Sequence, residues 1–188
     1  MATYNGDAVP EKLIEEMSRS LARLALATEQ LAQVELAIRK HHRSLPAESS
    51  AKKLERLRGI GITTSQQLCA EIMDWRRFTN RKAPGAFAGL CPTPWGSGGE
   101  RIREQGIGKD GNPRIRSTMV ELAWLWSRWQ PSSELAHKWA PELAKKGRRR
   151  KMAVVALARE LLVALWRYVV YDVPIVGAVM KGEKAAVR

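Results

Sequence analysis

The chain has 188 residues, of which 45% are hydrophobic, and this suffices for one domain with a core plus an extension. Its 32 lysines and arginines exceed its 19 acidic residues and give a formal net charge of +13. An excess of this size argues against a typical metabolic enzyme and favours a polyanionic partner, with nucleic acid before a membrane surface. No apolar run approaches the ~20 residues of a membrane span, and the first residues lack the apolar core of a secretion signal. We therefore expect a cytoplasmic protein without a membrane partner.

The first predicted element is a long helix from about Pro10 to His42, which contains no internal glycine or proline. Apolar side chains recur there at alternating spacings of three and four residues, which is typical of a coiled-coil seam. The seam consists of Ile14, Met17, Leu21, Leu24, Leu31 and Ile38, with Thr28 and Glu35 as polar interruptions and with Leu13, Leu26 and Val34 widening the apolar face. An apolar stripe on so long a helix needs a partner, so we expect a homo-oligomer formed through this helix.

A short polar stretch, LPAESS at residues 45–50, then indicates a linker. We therefore expect three parts along the chain. They are a coiled-coil helix with its linker at 1–50, a compact helical domain at 51–175 and a tail at 176–188.

The domain is predicted to begin with two short helices joined by a tight turn at Gly59-Ile60-Gly61. The second helix should begin near Thr63 or Thr64, either of which could cap it. Two helices about a Gly-x-Gly turn are typical of a helix-hairpin-helix, in which the hairpin N–H groups and the next helix N-terminus face a DNA phosphate. The candidate DNA-binding residues of this module are Gly59, Gly61 and Thr63. The alternative is an ordinary helical hairpin whose glycines merely permit the turn.

Residues 74–116 are the least regular part of the chain, rich in glycine and proline and strongly basic. A long irregular segment inside a compact domain is usually functional or disordered. The apolar residues Phe78, Phe87, Leu90 and Trp95 argue against disorder, because they can anchor the segment to a core. We therefore expect this segment to carry function.

The remainder is predicted to be helical, first after Pro113 and again after a break in which Ser132 or Ser133 could cap the next helix. Residues 152–173 should form the central core helix. The basic run before it, Arg148–Lys151, could bind a DNA or RNA backbone or form a capping cluster. No alternating strand pattern occurs anywhere, so we predict an all-α protein.

Five tryptophans fall at helical spacings, which favours packing in the core over stacking on nucleic-acid bases. They are Trp124, Trp126, Trp129, Trp139 and Trp166. Trp75 and Trp95, in the irregular segment, are the stronger candidates for base stacking.

Metal and redox chemistry find little support in the sequence. Cys69 and Cys91 form neither a CxxC pair nor a disulfide framework, and we expect reduced, buried thiols. The aspartates are scattered, and no His/Cys pair has the spacing of metal ligands. We therefore expect no metal or other cofactor to be bound by this chain itself.

Three segments in one order carry a resemblance to a known family. They are LRGIGITTSQQLCAEIMDWRRF, AFAGLCPTPWGSGGERIREQGIGKDGNPRIRSTMVELAW and RRRKMAVVALARELLVALWRYV, which together cover about Leu54 to Tyr171. This arrangement resembles the C-terminal transposase domain of the DEDD insertion-sequence transposases. That is the one-ten / eleven-eleven group, whose members are guided by a bridge RNA.

The resemblance implies a serine nucleophile, which the family supplies from a GLxPxxxxSG-like segment. The matching residues here are 89–98, and they place the nucleophile at Ser97. Glycines on both sides would let the backbone approach a phosphodiester closely. Serine attack would keep the bond energy in a covalent phosphoserine link, so strands could be exchanged without external energy. The alternative is a turn serine in a Gly/Pro-rich loop.

Basic residues downstream of Ser97 could neutralise phosphates at the point of strand exchange. The candidate contacts are Arg101, Arg103, Lys109, Asn112, Arg114 and Arg116. Their alternative is a solvated basic loop, which is less common for a cluster with so few acids.

The resemblance also implies an N-terminal RuvC-like domain whose DEDD carboxylates bind divalent metal, and we expect this half to be absent before the coiled coil. We therefore expect a C-terminal transposase fragment that acts on DNA, with a guide RNA as a further partner. It should be inactive alone, and Mg²⁺ is expected only through the missing RuvC-like domain. The rival interpretation is a non-catalytic helix-hairpin-helix DNA-binding protein that dimerises through residues 10–42. A structural coiled-coil adaptor would leave the basic loop unexplained.

Overall fold

The structure is a computed structural model that describes residues 8–73, 78–95, 103–108 and 110–183, with the backbone alone at 93–95 and 103–105. The chain divides into two compact units, Met1–Ser44 and Leu45–Arg188. Helices dominate both units, as the sequence predicted. Among the described residues, no helix is both long and apolar enough to cross a membrane.

The first unit is one helix, α1 (Glu11–Ser44), of 34 residues. Its length is about 51 Å at the usual rise of ~1.5 Å per residue. Glu11 lies in the first turn and His41, His42 and Arg43 in the last, which complements the helix dipole at both ends. The predicted seam is exposed along much of its length, with Leu21, Leu24 and Leu31 at 60%, 63% and 59% exposure.

Among its described residues, the second unit contains six further helices, one π-helical turn and two short strands. In chain order these are α2 (Ser50–Arg56), α3 (Ile62–Leu68), the π-helical turn (Cys69–Met73), α4 (Ala83–Phe87), β1 (Pro92–Trp95), β2 (Arg103–Ile107), α5 (Pro113–Trp129), α6 (Glu134–Leu143) and α7 (Arg148–Tyr171). The last helix is the central one, since it packs against α2, α4, α5, α6 and the π-helical turn. Its fully buried face contains Leu157, Ala158, Leu161, Leu162 and Leu165. The predicted central core helix is confirmed.

The first residues of the helices show which of the predicted capping residues act as N-caps. Ser133 caps α6 by accepting a hydrogen bond from Ala136 N at 3.2 Å, as predicted for Ser132 or Ser133. The prediction that Thr63 or Thr64 caps the hairpin's second helix is wrong. That helix begins at Ile62, and its N-cap is Gly61, which has no side chain to offer. The chain enters the helix directly from the glycine turn, so neither threonine reaches the capping position.

The all-α prediction is confirmed, because the protein is mostly helical, although one short pair of strands is present that the sequence did not reveal. Strands β1 and β2 pair antiparallel, with Pro92 opposite Ile107, Pro94 opposite Glu104 and Trp95 opposite Arg103. The register shifts between Pro92 and Pro94. In a two-stranded ribbon both strands are edges, and edges are where proline is tolerated. The two prolines and the irregular register remove the alternation of apolar and polar residues from which a strand is predicted.

Residues 172–183, which follow α7, pack back onto the helical unit. Lys181 N donates to Arg56 O at 2.7 Å, and Glu134 N donates to Val176 O at 3.0 Å. The Gln130 side chain, fully buried, donates to Arg58 O and Val179 O at 2.8 Å and accepts from Val179 N at 2.7 Å. One amide thus joins the hairpin turn, the end of α5 and the C-terminal segment.

Candidate nucleic-acid interface

An open cleft of about 480 Å³ lies at the N-terminus of α5. We call it the α5 cleft, and its lining consists of Glu71, Ala86, Phe87, Asp110, Gly111, Asn112, Pro113 and Arg114. Two of the predicted phosphate contacts, Asn112 and Arg114, therefore lie together in this cleft. The exposed N–H groups of a helix N-terminus favour an anion at such a place.

Two glycines beside the cleft, Gly89 and Gly111, bring their backbones into close contact. Gly89 has φ +65°, and a Cβ on Gly111 would stand 2.2 Å from Gly89 N. Asn112 N donates to Phe87 O at 2.8 Å beside this contact. Only glycine at position 111 allows the turn after α4 to lie so close to the start of α5.

The side chain of Asn112 is engaged within the protein. Its Oδ1 accepts hydrogen bonds from Arg114 N at 3.0 Å and Ile115 N at 3.3 Å, which caps α5. Its Nδ2 donates to Glu71 Oε2 at 2.8 Å. Glu71 belongs to the π-helical turn, so Asn112 ties that turn to α5. Asn112 therefore holds together the π-helical turn and the start of α5, and residues of both line the cleft.

The two arginines of this region have opposite surroundings. Arg114 is 79% exposed, and its Nη1 lies 3.6 Å from Glu71 Oε1. Arg116 is half-buried, and within the described residues its Nη1 is buried without a hydrogen-bond acceptor. That nitrogen faces Gly89, where an added Cβ would lie 2.6 Å from it. Arg114 is therefore available to a phosphate in this conformation, and Arg116 is turned toward the backbone.

Several predicted site residues lie outside the described residues, namely Ser97, Arg101 and Lys109, together with the candidate stacking residue Trp75. Arg103 lies in β2, opposite Trp95 in β1, and only the backbone of both is described. Ser97 follows Trp95 by two residues in the sequence. The β2 strand leads back toward the α5 cleft, since Gly108 N donates to Cys91 O at 3.3 Å.

The candidate residues of the hairpin module lie around the turn between α2 and α3. Gly59 has φ +94°, and a Cβ there would be 3.3 Å from Trp129 Cβ, so glycine serves both the turn and the packing. Gly61 and Thr63 are exposed. They could meet a phosphate, but the geometry equally suits a plain helical hairpin.

The tryptophans of α5 separate into buried and exposed groups. Trp126 and, on α7, Trp166 are buried as predicted, at 0% and 4% exposure. Trp124 and Trp129 are exposed, at 38% and 39%, and the prediction that they belong to the core is wrong. The helical period held a usable signal, because Trp124 precedes the buried Trp126 by two residues, or about 200° around the helix.

Basic side chains stack on both exposed rings. Arg150 lies over Trp124 with its Cζ 4.7 Å from the ring centroid. Arg58 and Arg128 each lie 5.5 Å from the centroid of Trp129. The basic run Arg148–Lys151 was predicted to bind a nucleic-acid backbone or to form a capping cluster. The contact of Arg150 with a tryptophan ring was not predicted.

No group of three histidine, cysteine, aspartate or glutamate residues within the described ranges could hold a metal ion. Within these ranges, the side chains therefore do not fit a metal centre. The buried polar groups that are present serve helix capping and packing instead.

Comparison with known proteins shows related transposases. The chain is 39% identical to the candidate transposase y4rJ of Sinorhizobium fredii over 96% of its own length and 48% of that protein. It is 26% identical to the transposase for insertion sequence element IS1328 of Yersinia enterocolitica, over 61% of this chain and 33% of that protein. The pilin gene-inverting protein of Moraxella bovis is 29% identical over 60% of this chain and 34% of its own.

The chain thus spans about half the length, or less, of these relatives. The family description that matches is Transposase IS116/IS110/IS902, over residues 51–138. This range runs from α2 into α6 and includes the hairpin turn, the β1–β2 pair and the α5 cleft. Residues 51–138, the range that matches, are therefore similar to the transposases of this family.

Proposed function

We propose that this chain acts in DNA transposition or site-specific recombination, as the part of a transposase that binds DNA and supplies Ser97 as nucleophile. The observation that carries the proposal is the similarity of residues 51–138 to the IS116/IS110/IS902 transposase family, in a range that contains the whole segment 89–116. The relatives named for transposition and for gene inversion support the same class of reaction.

The proposed reaction is an exchange of phosphodiester bonds. The Ser97 hydroxyl oxygen attacks a DNA phosphorus, a phosphoserine bond forms, and the bond from phosphorus to the leaving deoxyribose oxygen breaks. The departing oxygen takes a proton, and the number of phosphoester bonds is unchanged, so the step reverses with a new strand end. A serine hydroxyl is a weak nucleophile that needs a base or a metal ion to activate it, and a RuvC-like half on another chain or segment would supply such an ion.

The DNA contacts of the proposal centre on the α5 cleft. Arg114 is the described residue best placed for a phosphate, because an exposed ion pair such as the one with Glu71 is weak and readily exchanged. Arg101, Arg103 and Lys109 remain proposed phosphate contacts. Asn112 and Arg116 are better supported as residues that hold the cleft in shape, given their buried or bonded atoms.

The second candidate function is a non-catalytic helix-hairpin-helix DNA-binding protein. It is favoured by the exposed Gly61 and Thr63 directly after the turn. Both candidates bind DNA, and they differ only in whether Ser97 reacts. A guide RNA belongs to the first proposal alone.

The test is a covalent adduct between Ser97 and DNA. The chain is mixed with a RuvC-like partner from a full-length relative, a guide RNA, Mg²⁺ and a suicide DNA substrate, and adducts are resolved on a denaturing gel. The wild-type chain should form an adduct, and Ser97→Ala should form none while still binding DNA. The variant removes one oxygen from a glycine-flanked serine, so we expect folding to change by well under the ~1 kcal/mol typical of point mutants.

The matched control is Ser117→Ala, which removes an exposed hydroxyl from α5 and should leave the adduct intact. An equal adduct from Ser97→Ala would exclude Ser97 as the nucleophile. A wild-type chain that forms no adduct even with the partner half would favour the DNA-binding protein.

A further inference from the structure

A second surface of the helical unit, which we call the tryptophan groove, shares no residue with the α5 cleft. Its volume is about 710 Å³, and it lies along α5, α6 and the start of α7. The groove is lined by Trp124, Leu125, Ser127, Arg128, Pro131, Ala136, His137, Ala140, Leu143, Ala144 and Arg150. Its polar lining is basic or neutral, because these residues include two arginines and a histidine but no carboxylate.

The groove contains an exposed aromatic ring, Trp124, beside an arginine. Trp124 is 38% exposed, and the Arg150 guanidinium lies 4.7 Å from its ring centroid. A guanidinium within about 6 Å of a ring centroid is attracted to the ring by a cation–π interaction. Trp129, five residues further along α5, carries Arg58 and Arg128 in the same way. Arg128 lines the groove as well, so this arginine lies both in the groove and beside the second exposed ring, Trp129.

Core packing does not explain these rings. Burying a large apolar side chain stabilises a fold, yet these two tryptophans leave over a third of their surface in water while Trp126 between them is fully buried. Proteins that bind single-stranded nucleic acid combine these features, namely a basic groove along the backbone and aromatic rings on which bases stack. Bases in a duplex are already stacked on each other, so an exposed ring favours unpaired bases.

We propose that the tryptophan groove binds single-stranded DNA, with Trp124 stacking on an unpaired base and with Arg150 and Arg128 neutralising flanking phosphates. The choice of DNA rests on the proposed function, because strands that change partners must pass through an unpaired state. The groove would hold such a strand apart from the α5 cleft, where the phosphate at the reacting position would lie. The apolar lining from α6 would receive the edge of the stacked base.

The experiment measures equilibrium binding of the full chain and requires no chemistry. Fluorescence anisotropy is recorded with dye-labelled oligothymidylate, oligouridylate and a DNA duplex of the same length. Trp124→Ala should weaken oligothymidylate binding roughly tenfold, from the loss of one base–aromatic stack, and should change duplex binding little. Trp124→Phe keeps an aromatic face and should retain most of the affinity. Thermal melting of both variants checks that the fold is kept.

A pair of arginine variants separates the groove from general charge. Arg150→Gln removes the guanidinium over Trp124, and Arg149→Gln removes an equal charge from the neighbouring exposed position of α7, which does not line the groove. Both should weaken binding through reduced counterion release. Arg150→Gln should weaken oligothymidylate binding several-fold more than Arg149→Gln does.

Three outcomes would overturn the proposal. The first is native oligothymidylate binding by Trp124→Ala, and the second is an equal loss on oligothymidylate and duplex. The third is much tighter binding of oligouridylate with the same dependence on Trp124, which would make RNA the occupant. Each leaves the Ser97 adduct experiment unaffected, so failure here and failure of the proposed function are separate results.

Discussion

Around the α5 cleft, the residue type alone does not show whether a side chain holds the fold together or is available to bind DNA. Asn112 and Arg114 are both polar residues at the start of a helix, and both are plausible phosphate contacts in a basic segment. Asn112 nevertheless uses its oxygen on two backbone N–H groups and its nitrogen on Glu71. Arg114 makes one long, exposed contact to the same carboxylate. Stability and binding measurements should therefore separate the two residues.

Asn112→Ala should lower the free energy of unfolding by about 1 kcal/mol, because it removes the N-cap of α5. Loss of the bond to Glu71 adds to this, since a part-buried carboxylate loses a donor. Asn112→Ser keeps a capping oxygen and should recover most of the capping contribution. Denaturant unfolding of both variants is the measurement.

The matched control for that measurement is Arg114→Ala, whose exposed side chain should change stability by less than about 0.5 kcal/mol. Its effect should instead appear as weaker DNA binding. Unchanged stability in Asn112→Ala would contradict the positioning role that the hydrogen bonds assign to this residue.

At the scale of elements, α1 differs most from the rest of the chain. All its seam leucines are more than half exposed, whereas the helices of the second unit each bury one face. Pairs of ions four residues apart, Glu15 with Arg19 and Glu35 with Arg39, support the helix along its polar surface. They add only a few tenths of a kcal/mol each, so the seam itself must gain a partner for the helix to be stable.

We propose that α1 forms a homo-oligomer through this seam. Leu21→Glu with Leu24→Glu puts two charges in the seam and should dissociate the oligomer, since each buried leucine contributes about 2 kcal/mol. Ala22→Glu with Leu36→Glu adds the same charges at exposed positions outside the apolar face and should leave the assembly unchanged. Light scattering over a concentration series measures the molar mass. A monomeric native chain, or equal dissociation by both pairs, would contradict the proposal.

The elements that sequence analysis missed have a common cause. Strands β1 and β2 are short, contain two prolines and pair with a shifted register, so the two-residue period never becomes visible. The π-helical turn at Cys69–Met73 continues α3 with a different period, and the apolar pattern alone does not reveal it. The π-helical turn packs against α2 and α7, and propensity is a weak guide where tertiary packing decides.

At the scale of the whole molecule, the net charge of +13 is the dominant property. It predicts binding of DNA whose affinity falls steeply with salt, because bound phosphates release their counterions. Replacing Arg101, Arg103 and Lys109 with glutamine should flatten the slope of log affinity against log salt by roughly one unit per lost phosphate contact. Binding titrations at several salt concentrations give this slope.

The control replaces three exposed basic residues of α1, Arg23, Arg39 and Lys40, with glutamine and removes the same charge. Its slope should stay close to that of the native chain. An unchanged slope in the first triple variant would place the contact surface elsewhere, with Arg148–Lys151 the next region to test.

The sequence by itself determined the features that depend on neighbouring residues. The long helix α1, the glycine turn at Gly59, the Ser133 cap and the apolar face of α7 all follow from local spacing or backbone preference, and each is present. The start of the hairpin's second helix was predicted to within one or two residues, although its cap was not.

Only the tertiary structure decided which polar and aromatic side chains meet. Asn112 finds Glu71 across 41 positions of sequence, and Gln130 reaches Val179 across 49. Trp124 and Trp126 share one helix, yet the packing of α7 against α5 buries the second and leaves the first beside Arg150. Hydrogen bonds and ring stacking act over a few ångströms. The sequence alone therefore does not show which residues form them, because the fold must first bring distant residues together.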